Sequence, residues 1–93
     1  ITVAPRSTST DSWATVINQT TTGNDAVRVT YNDWVRSASF WKRWEFANVV
    51  ESSQNSGLWK APSYTLDGVH PTQLGFIAQR DADLFTNSTF YLP

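Results

Sequence analysis

The chain has 93 residues, a formal net charge of −1 at pH 7, one histidine and no cysteine. Its seven basic residues are scattered and balanced by eight acidic ones, which excludes the basic stripe of a nucleic-acid-binding protein. The missing cysteines and the lone histidine exclude a disulfide framework and argue against a protein-bound metal, and no apolar run approaches the roughly 20 residues of a membrane span.

Two apolar runs are predicted to form parallel strands. Residues 1–4 are a short, β-branched run ended by Pro5, and residues 46–50 are a second apolar run followed by Glu51. Glu51 is predicted to be a solvated strand terminus, with a functional carboxylate at the end of the strand as the alternative. The polar residues 6–11 are predicted to be a loop at the carboxyl end of the first strand, where they face either a ligand crevice or solvent.

Helices are predicted after each strand. Residues 25–37 have apolar positions at steps of three and four, and the last helix runs from residue 71 or 72 to about residue 85, with Gly75 allowing close approach to the sheet. A short helical segment, residues 13–18, is predicted to begin at a cap formed by Asp11 or Ser12. The first long helix is expected to bury Val27, Tyr31, Trp34 and Val35 and to turn Arg28, Asn32 and Arg36 outward.

The clearest chemical signal is the pair Asp67 and His70, which is followed by Pro71. Proline suits the first turn of a helix, so His70 is placed on a loop just before one. A neutral imidazole accepts a proton near pH 7, and a carboxylate on its other nitrogen fixes the tautomer and stabilises the imidazolium. The pair therefore has the residue types of a base and its orienting acid, with a structural histidine on a capping loop as the bland alternative.

The longer string Asp-Gly-Val-His-Pro-Thr-x-x-Gly, residues 67–75, resembles the last block of the SGNH (GDSL-type) serine esterases and acyl hydrolases. The resemblance implies that His70 is the general base and that Asp67 orients it. It also implies an α/β, three-layer flavodoxin-like fold. Residues 1–93 would supply the last two parallel strands and their helices, as the C-terminal portion of a single hydrolase domain.

The family's Gly-Asp-Ser block, which carries the nucleophile, and its Gly-x-Asn-Asp block are not present in this chain. The resemblance therefore implies a companion N-terminal segment or chain that carries the catalytic serine and the oxyanion hole. The lack of an initiator methionine likewise indicates a fragment. Because two short strands bury little apolar surface, the chain alone is expected to be marginally stable or unfolded.

The implied reaction is hydrolysis of a short acyl ester, with no cofactor. The polar, aromatic-rich composition favours an acetyl group on a saccharide over a lipid, and an extracellular or virion-surface location. The alternative is a non-catalytic carbohydrate-binding or assembly module that keeps the SGNH fold. In that alternative Trp41, Trp44 and Trp59 stack on sugars, although an aromatic-rich segment such as residues 39–45 is more often a linker that covers the core. Trp59 and Tyr64 are expected either to wall the acyl pocket or to anchor a loop.

Overall fold

A computed structural model describes residues 1–37 and 44–85 of the chain. Its two short strands pair antiparallel, with Ser7 opposite Thr21 and Ser9 opposite Gln19. The chain is thus a small mixed α/β protein, and the three-layer flavodoxin-like arrangement stays a prediction. The elements in chain order are β1 (Ser7–Ser9), β2 (Gln19–Thr21), α1 (Asp25–Ser37), α2 (Ala47–Val50) and α3 (Gln73–Phe85).

The first predicted strand, residues 1–4, is not a strand. Its Val3 N–H donates to Asn32 Oδ1 at 2.7 Å, and its Val3 carbonyl accepts from Asn32 Nδ2 at 2.9 Å. A buried side chain from α1 therefore occupies the hydrogen-bonding groups that a neighbouring strand would use. The observed strand β1 lies instead in the polar stretch that was predicted to be a loop.

The prediction of a second strand at residues 46–50 is also wrong, again because a side chain from a distant residue binds the backbone. Thr2 Oγ1 accepts the backbone N–H groups of Phe46 and Ala47, at 2.8 and 2.9 Å. Satisfying the free N–H groups at a helix start favours a helical turn, so the apolar residues form α2 rather than a strand. Ala47 and Val50 are fully buried in it.

Helix α1 has the predicted bounds, but the predicted direction of its faces is wrong. Asn32 is 0% exposed, whereas Val27 and Trp34 are 61% and 54% exposed. The hydrogen bonds from Asn32 to Val3 turn this polar face inward, and only Val35 adds an apolar side chain to the buried face. An exposed apolar face is left on the other side of the helix.

Arg28 of α1 and Glu51, the residue that follows α2, form a buried ion pair. Glu51, predicted to be solvated, has a fully buried side chain whose Oε2 lies 2.6 Å from Arg28 Nη2 and accepts the Gly57 N–H at 2.7 Å. Arg28 also bonds Asp25 at 2.7 Å. Burial lowers the pKa of Arg28, but the bonds to Asp25 and Glu51 outweigh it and raise the pKa above its ordinary value.

Helix α3 begins within two residues of its predicted start and packs on α2. A Cβ on Gly75 would lie 2.9 Å from Pro71 Cβ and 3.2 Å from the Tyr64 carbonyl oxygen. Gly75 does allow a close approach, but the predicted partner is wrong, because Gly75 meets a loop and α2 rather than a sheet. The apolar core of the described residues consists of Val35, Ala47, Val50 and Trp59. Of the helices that the structure describes, none combines the length and the apolar character that crossing a bilayer requires.

Candidate functional site

The structure brings the two predicted site residues together on the loop before α3. His70 Nδ1 lies 2.8 Å from Asp67 Oδ2, and the two side chains are 78% and 54% exposed. The other carboxylate oxygen, Asp67 Oδ1, accepts the backbone N–H groups of Val69 and His70, both at 2.8 Å. One short turn therefore holds the carboxylate and the imidazole in a fixed relation.

The same contacts keep Asp67 ionised. The backbone N–H of His70, its ring and the backbone N–H of Val69 all donate to the carboxylate, and together they hold the pKa of Asp67 well below its usual range. An ionised carboxylate only accepts hydrogen bonds, so its partner Nδ1 is the donor, and in the neutral form of the ring the lone pair lies on Nε2. Within the described residues, Nδ1 makes the one hydrogen bond of the ring, and Nε2 has no hydrogen-bond partner there.

Thr65 closes the base of this loop. Its side chain is buried, and its Oγ1 accepts the Gly68 N–H at 2.9 Å and donates to the His70 carbonyl at 2.8 Å. An isolated antiparallel bridge pairs Thr65 with Pro71, the residue that follows His70. The two ends of the loop, Thr65 and Pro71, therefore lie next to each other.

Gly68 connects the loop to the rest of the chain. Its φ is +76°, and its carbonyl accepts both the Ser7 N–H at 3.0 Å and the Trp59 indole N–H at 2.9 Å. A Cβ here would lie 1.9 Å from the Ser7 carbonyl oxygen and 2.7 Å from Trp13 Cζ2, so only glycine fits. Trp59 is 0% exposed, which confirms the loop-anchor prediction for it and removes it as a sugar-stacking residue.

A buried polar network lies behind Gly68. Trp13 Nε1 donates to Ser7 Oγ at 3.0 Å, and Ser7 Oγ donates to Gln19 Oε1 at 2.8 Å. Gln19 then bonds both backbone groups of Trp59, at 2.9 Å each. We define these residues, Ser7, Trp13, Gln19 and Trp59, as the loop-support network. No sequence signal indicates Ser7, Gln19 or this placement of Trp13, because they lie about 50 residues or more before the site.

Residues 13–18 do not form the predicted helix. Ser12 and Trp13 have φ values of 57° and 60°, outside the helical region. Asp11 organises this loop instead, since its carboxylate accepts from Thr15 at 2.6 Å and from Asn18 at 3.0 Å. These two bonds, with one from Ser9, hold the pKa of Asp11 below its ordinary value.

The arrangement supplies a base and its orienting acid. Among the described residues no hydroxyl is hydrogen-bonded to the His70 ring, and no cluster of three or more His, Cys, Asp or Glu side chains could hold a metal ion. Tyr64, the other predicted wall or anchor, has the Lys60 ammonium 5.8 Å from its ring centre, and its role at the site stays a prediction.

In comparisons with known proteins, no family model matches the chain, and neither a curated protein nor a solved structure matches it at a significant level.

Proposed function

We propose that this chain supplies the general base, His70, and its orienting carboxylate, Asp67, to a serine esterase that hydrolyses short acyl esters, such as acetyl groups on a saccharide. The observation that carries the proposal is the 2.8 Å contact between His70 Nδ1 and an ionised Asp67 on an exposed loop. A structural histidine would be expected to use both ring nitrogens in packing or hydrogen bonds. Among the described residues, the His70 ring uses only Nδ1 in a hydrogen bond, and its side chain is 78% exposed.

In the proposed reaction, a serine from a companion N-terminal segment or chain attacks the ester carbonyl. His70 Nε2 accepts the serine proton, and Asp67 stabilises the imidazolium at the other nitrogen. The imidazolium then protonates the leaving alcohol, and the acyl group remains on the serine. Water repeats the sequence and releases the acid. The companion would also supply the oxyanion hole and complete the three-layer α/β domain.

The test is hydrolysis of ethyl acetate by the polypeptide that carries both this chain and the companion segment, followed in a pH-stat. His70→Ala is expected to lower kcat by about 10⁴-fold, and Asp67→Asn by about 10²-fold to 10⁴-fold, because the base or its tautomer is lost. Asp81→Asn is the matched control, because Asp81 is a similarly exposed carboxylate at 50%, bonded to neighbouring Arg80. A His70→Ala variant within tenfold of the parent activity would refute the assignment.

One observation favours the second candidate, a non-catalytic carbohydrate-binding or assembly module. The rings of Tyr31 and Trp34 lie 6.3 Å apart at 40° on the exposed face of α1, and with Val27 they line an open groove of about 670 Å³. Exposed aromatic rings are common in sugar-binding surfaces. Of the other tryptophans predicted to stack on sugars, Trp44 is half-buried and Trp41 lies outside the described residues. Saccharide binding that Trp34→Ala abolishes, without any ester hydrolysis, would favour this candidate.

A further inference from the structure

We propose that Trp13 is a specificity-determining residue, whose indole forms the wall on which the ring of the leaving alcohol stacks. The proposal rests on the esterase function proposed above and deepens it. It assigns the substrate class as acyl esters of ring-bearing alcohols, of which saccharides are the main biological example. It also moves the sugar-stacking role from Trp59, which is buried, to a tryptophan beside the site.

The position of the indole places it within reach of a substrate bound to His70. Trp13 Cζ2 lies against Gly68, so closely that an added Cβ would approach it to 2.7 Å. Gly68 and His70 are two residues apart, which limits their Cα separation to about 7 Å. A pyranose ring with its ester group is of similar length. One substrate can therefore contact the imidazole and the indole together.

The backbone holds Trp13 in a conformation that its side chain disfavours. Ser12 and Trp13 are consecutive non-glycine residues in the left-handed region, at φ 57° and 60°. Ser9 Oγ maintains the turn by accepting the N–H groups of Asp11 at 3.1 Å and Trp13 at 2.8 Å. For a bulky residue this conformation is rare and tends to occur at functional sites. Here it directs the indole from the hairpin towards the Asp67–His70 loop.

The chemistry of the indole fits an apolar ring face. Its N–H is already used in the 3.0 Å bond to Ser7 Oγ, and Ser7 is buried. Trp13 is half-buried, and because its N–H is engaged, the indole offers a ligand aromatic carbon rather than a free hydrogen-bond donor. Aromatic carbon packs well on the C–H face of a sugar ring through dispersion and removal of apolar surface from water. A short linear alcohol covers much less of that surface.

The experiment compares two acetate esters that share the acyl group and differ in the alcohol, namely glucose pentaacetate and ethyl acetate. Trp13→Ala is expected to lower kcat/KM for glucose pentaacetate by about tenfold or more and that for ethyl acetate by less than about threefold. Trp13→Phe keeps an aromatic ring and should recover most of the difference. Ile17→Ala, which removes an 86% exposed apolar side chain from the same hairpin as Trp13, should change kcat/KM for neither ester. Equal loss on both esters, or no loss on either, would overturn the proposal.

A binding measurement separates this proposal from the esterase function. Calorimetric titration of glucose pentaacetate into the His70→Ala variant reports on the wall without turnover. Adding Trp13→Ala to that variant should weaken binding by about tenfold. If His70→Ala leaves hydrolysis intact while Trp13→Ala still weakens binding, the assignment of His70 as the base is refuted and the stacking role of Trp13 is supported. Unchanged affinity in the double variant would refute the stacking role of Trp13, whatever effect His70→Ala has on hydrolysis.

Discussion

Gly68→Ala gives the sharpest test of how the loop is held. The added Cβ would lie 1.9 Å from the Ser7 carbonyl oxygen, which is backbone and cannot rotate away. Ser7 must therefore move, and the two hydrogen bonds to the Gly68 carbonyl, from Ser7 N–H and Trp59 Nε1, are strained or broken. Each buried donor left without a partner costs about 1–3 kcal/mol, and the left-handed backbone adds about 1–2 kcal/mol.

The expected loss of unfolding free energy for Gly68→Ala is therefore about 3–8 kcal/mol. Gly23→Ala is the matched control, because Gly23 has a similar φ of +69° but no atom within 4 Å of the added Cβ. It should show the backbone effect alone, about 1 kcal/mol after the smaller entropy of the unfolded alanine chain is counted. Urea unfolding of the polypeptide that carries both this chain and the companion segment, followed by far-UV circular dichroism, measures both.

The refuting result is a Gly68→Ala variant whose unfolding free energy lies within about 1 kcal/mol of the Gly23→Ala variant. Such a result would mean that the Ser7 carbonyl does not lie against Gly68 in solution. A Gly68→Ala chain that is unfolded in buffer while Gly23→Ala remains folded agrees with the prediction, because the expected difference can exceed the stability of a small domain.

Two further predictions concern carboxylates. Glu51→Gln should lower the free energy of unfolding in urea by about 3–5 kcal/mol, because it breaks a buried ion pair with Arg28. The control is Asp33→Asn, which should cost less than about 1 kcal/mol, because the Asp33 side chain is 54% exposed and lies 3.4 Å from Arg36. Equal effects of the two variants would contradict the buried pair. Asp67 should titrate below its ordinary pKa of 3.8 when its carboxyl carbon is followed by NMR. Since its folded pKa is depressed, its stabilising effect is present above the unfolded pKa of about 3.9 and is lost as the pH falls through the folded pKa. Wild type and Asp67→Asn should therefore converge in stability at low pH, and a midpoint at or above 3.8 would show that the turn does not hold the carboxylate.

The features predicted correctly from the sequence are local ones. The bounds of α1 and α3 follow from apolar spacing within each helix, and the Asp67–His70 pair forms within three residues of chain. Short-range patterns of this kind need no knowledge of the distant chain.

Most of the incorrect predictions depend on distant contacts; the exception is the helix predicted for residues 13–18, where Asp11 binds the nearby Thr15 and Asn18. The strand predicted for residues 1–4 failed because Asn32, about 30 residues later, bonds both backbone groups of Val3. The same bonds reversed the expected faces of α1. Likewise, the burial of Glu51 depends on Arg28, 23 residues earlier, and a carboxylate after an apolar run looks the same whether it is solvated or paired. Only the glycine at position 68 hinted that another segment approaches the loop.

The loop-support network also determines when the loop becomes ordered. Because Ser7, Gln19 and Trp59 are buried and mutually bonded, the loop's conformational entropy is lost when the chain folds, not when a substrate arrives. A site arranged in this way is preorganised, so substrate binding energy need not be spent on ordering the loop that carries His70. The stability of a hairpin more than 40 residues away in the sequence thereby sets the fraction of molecules in which His70 and Asp67 are correctly placed.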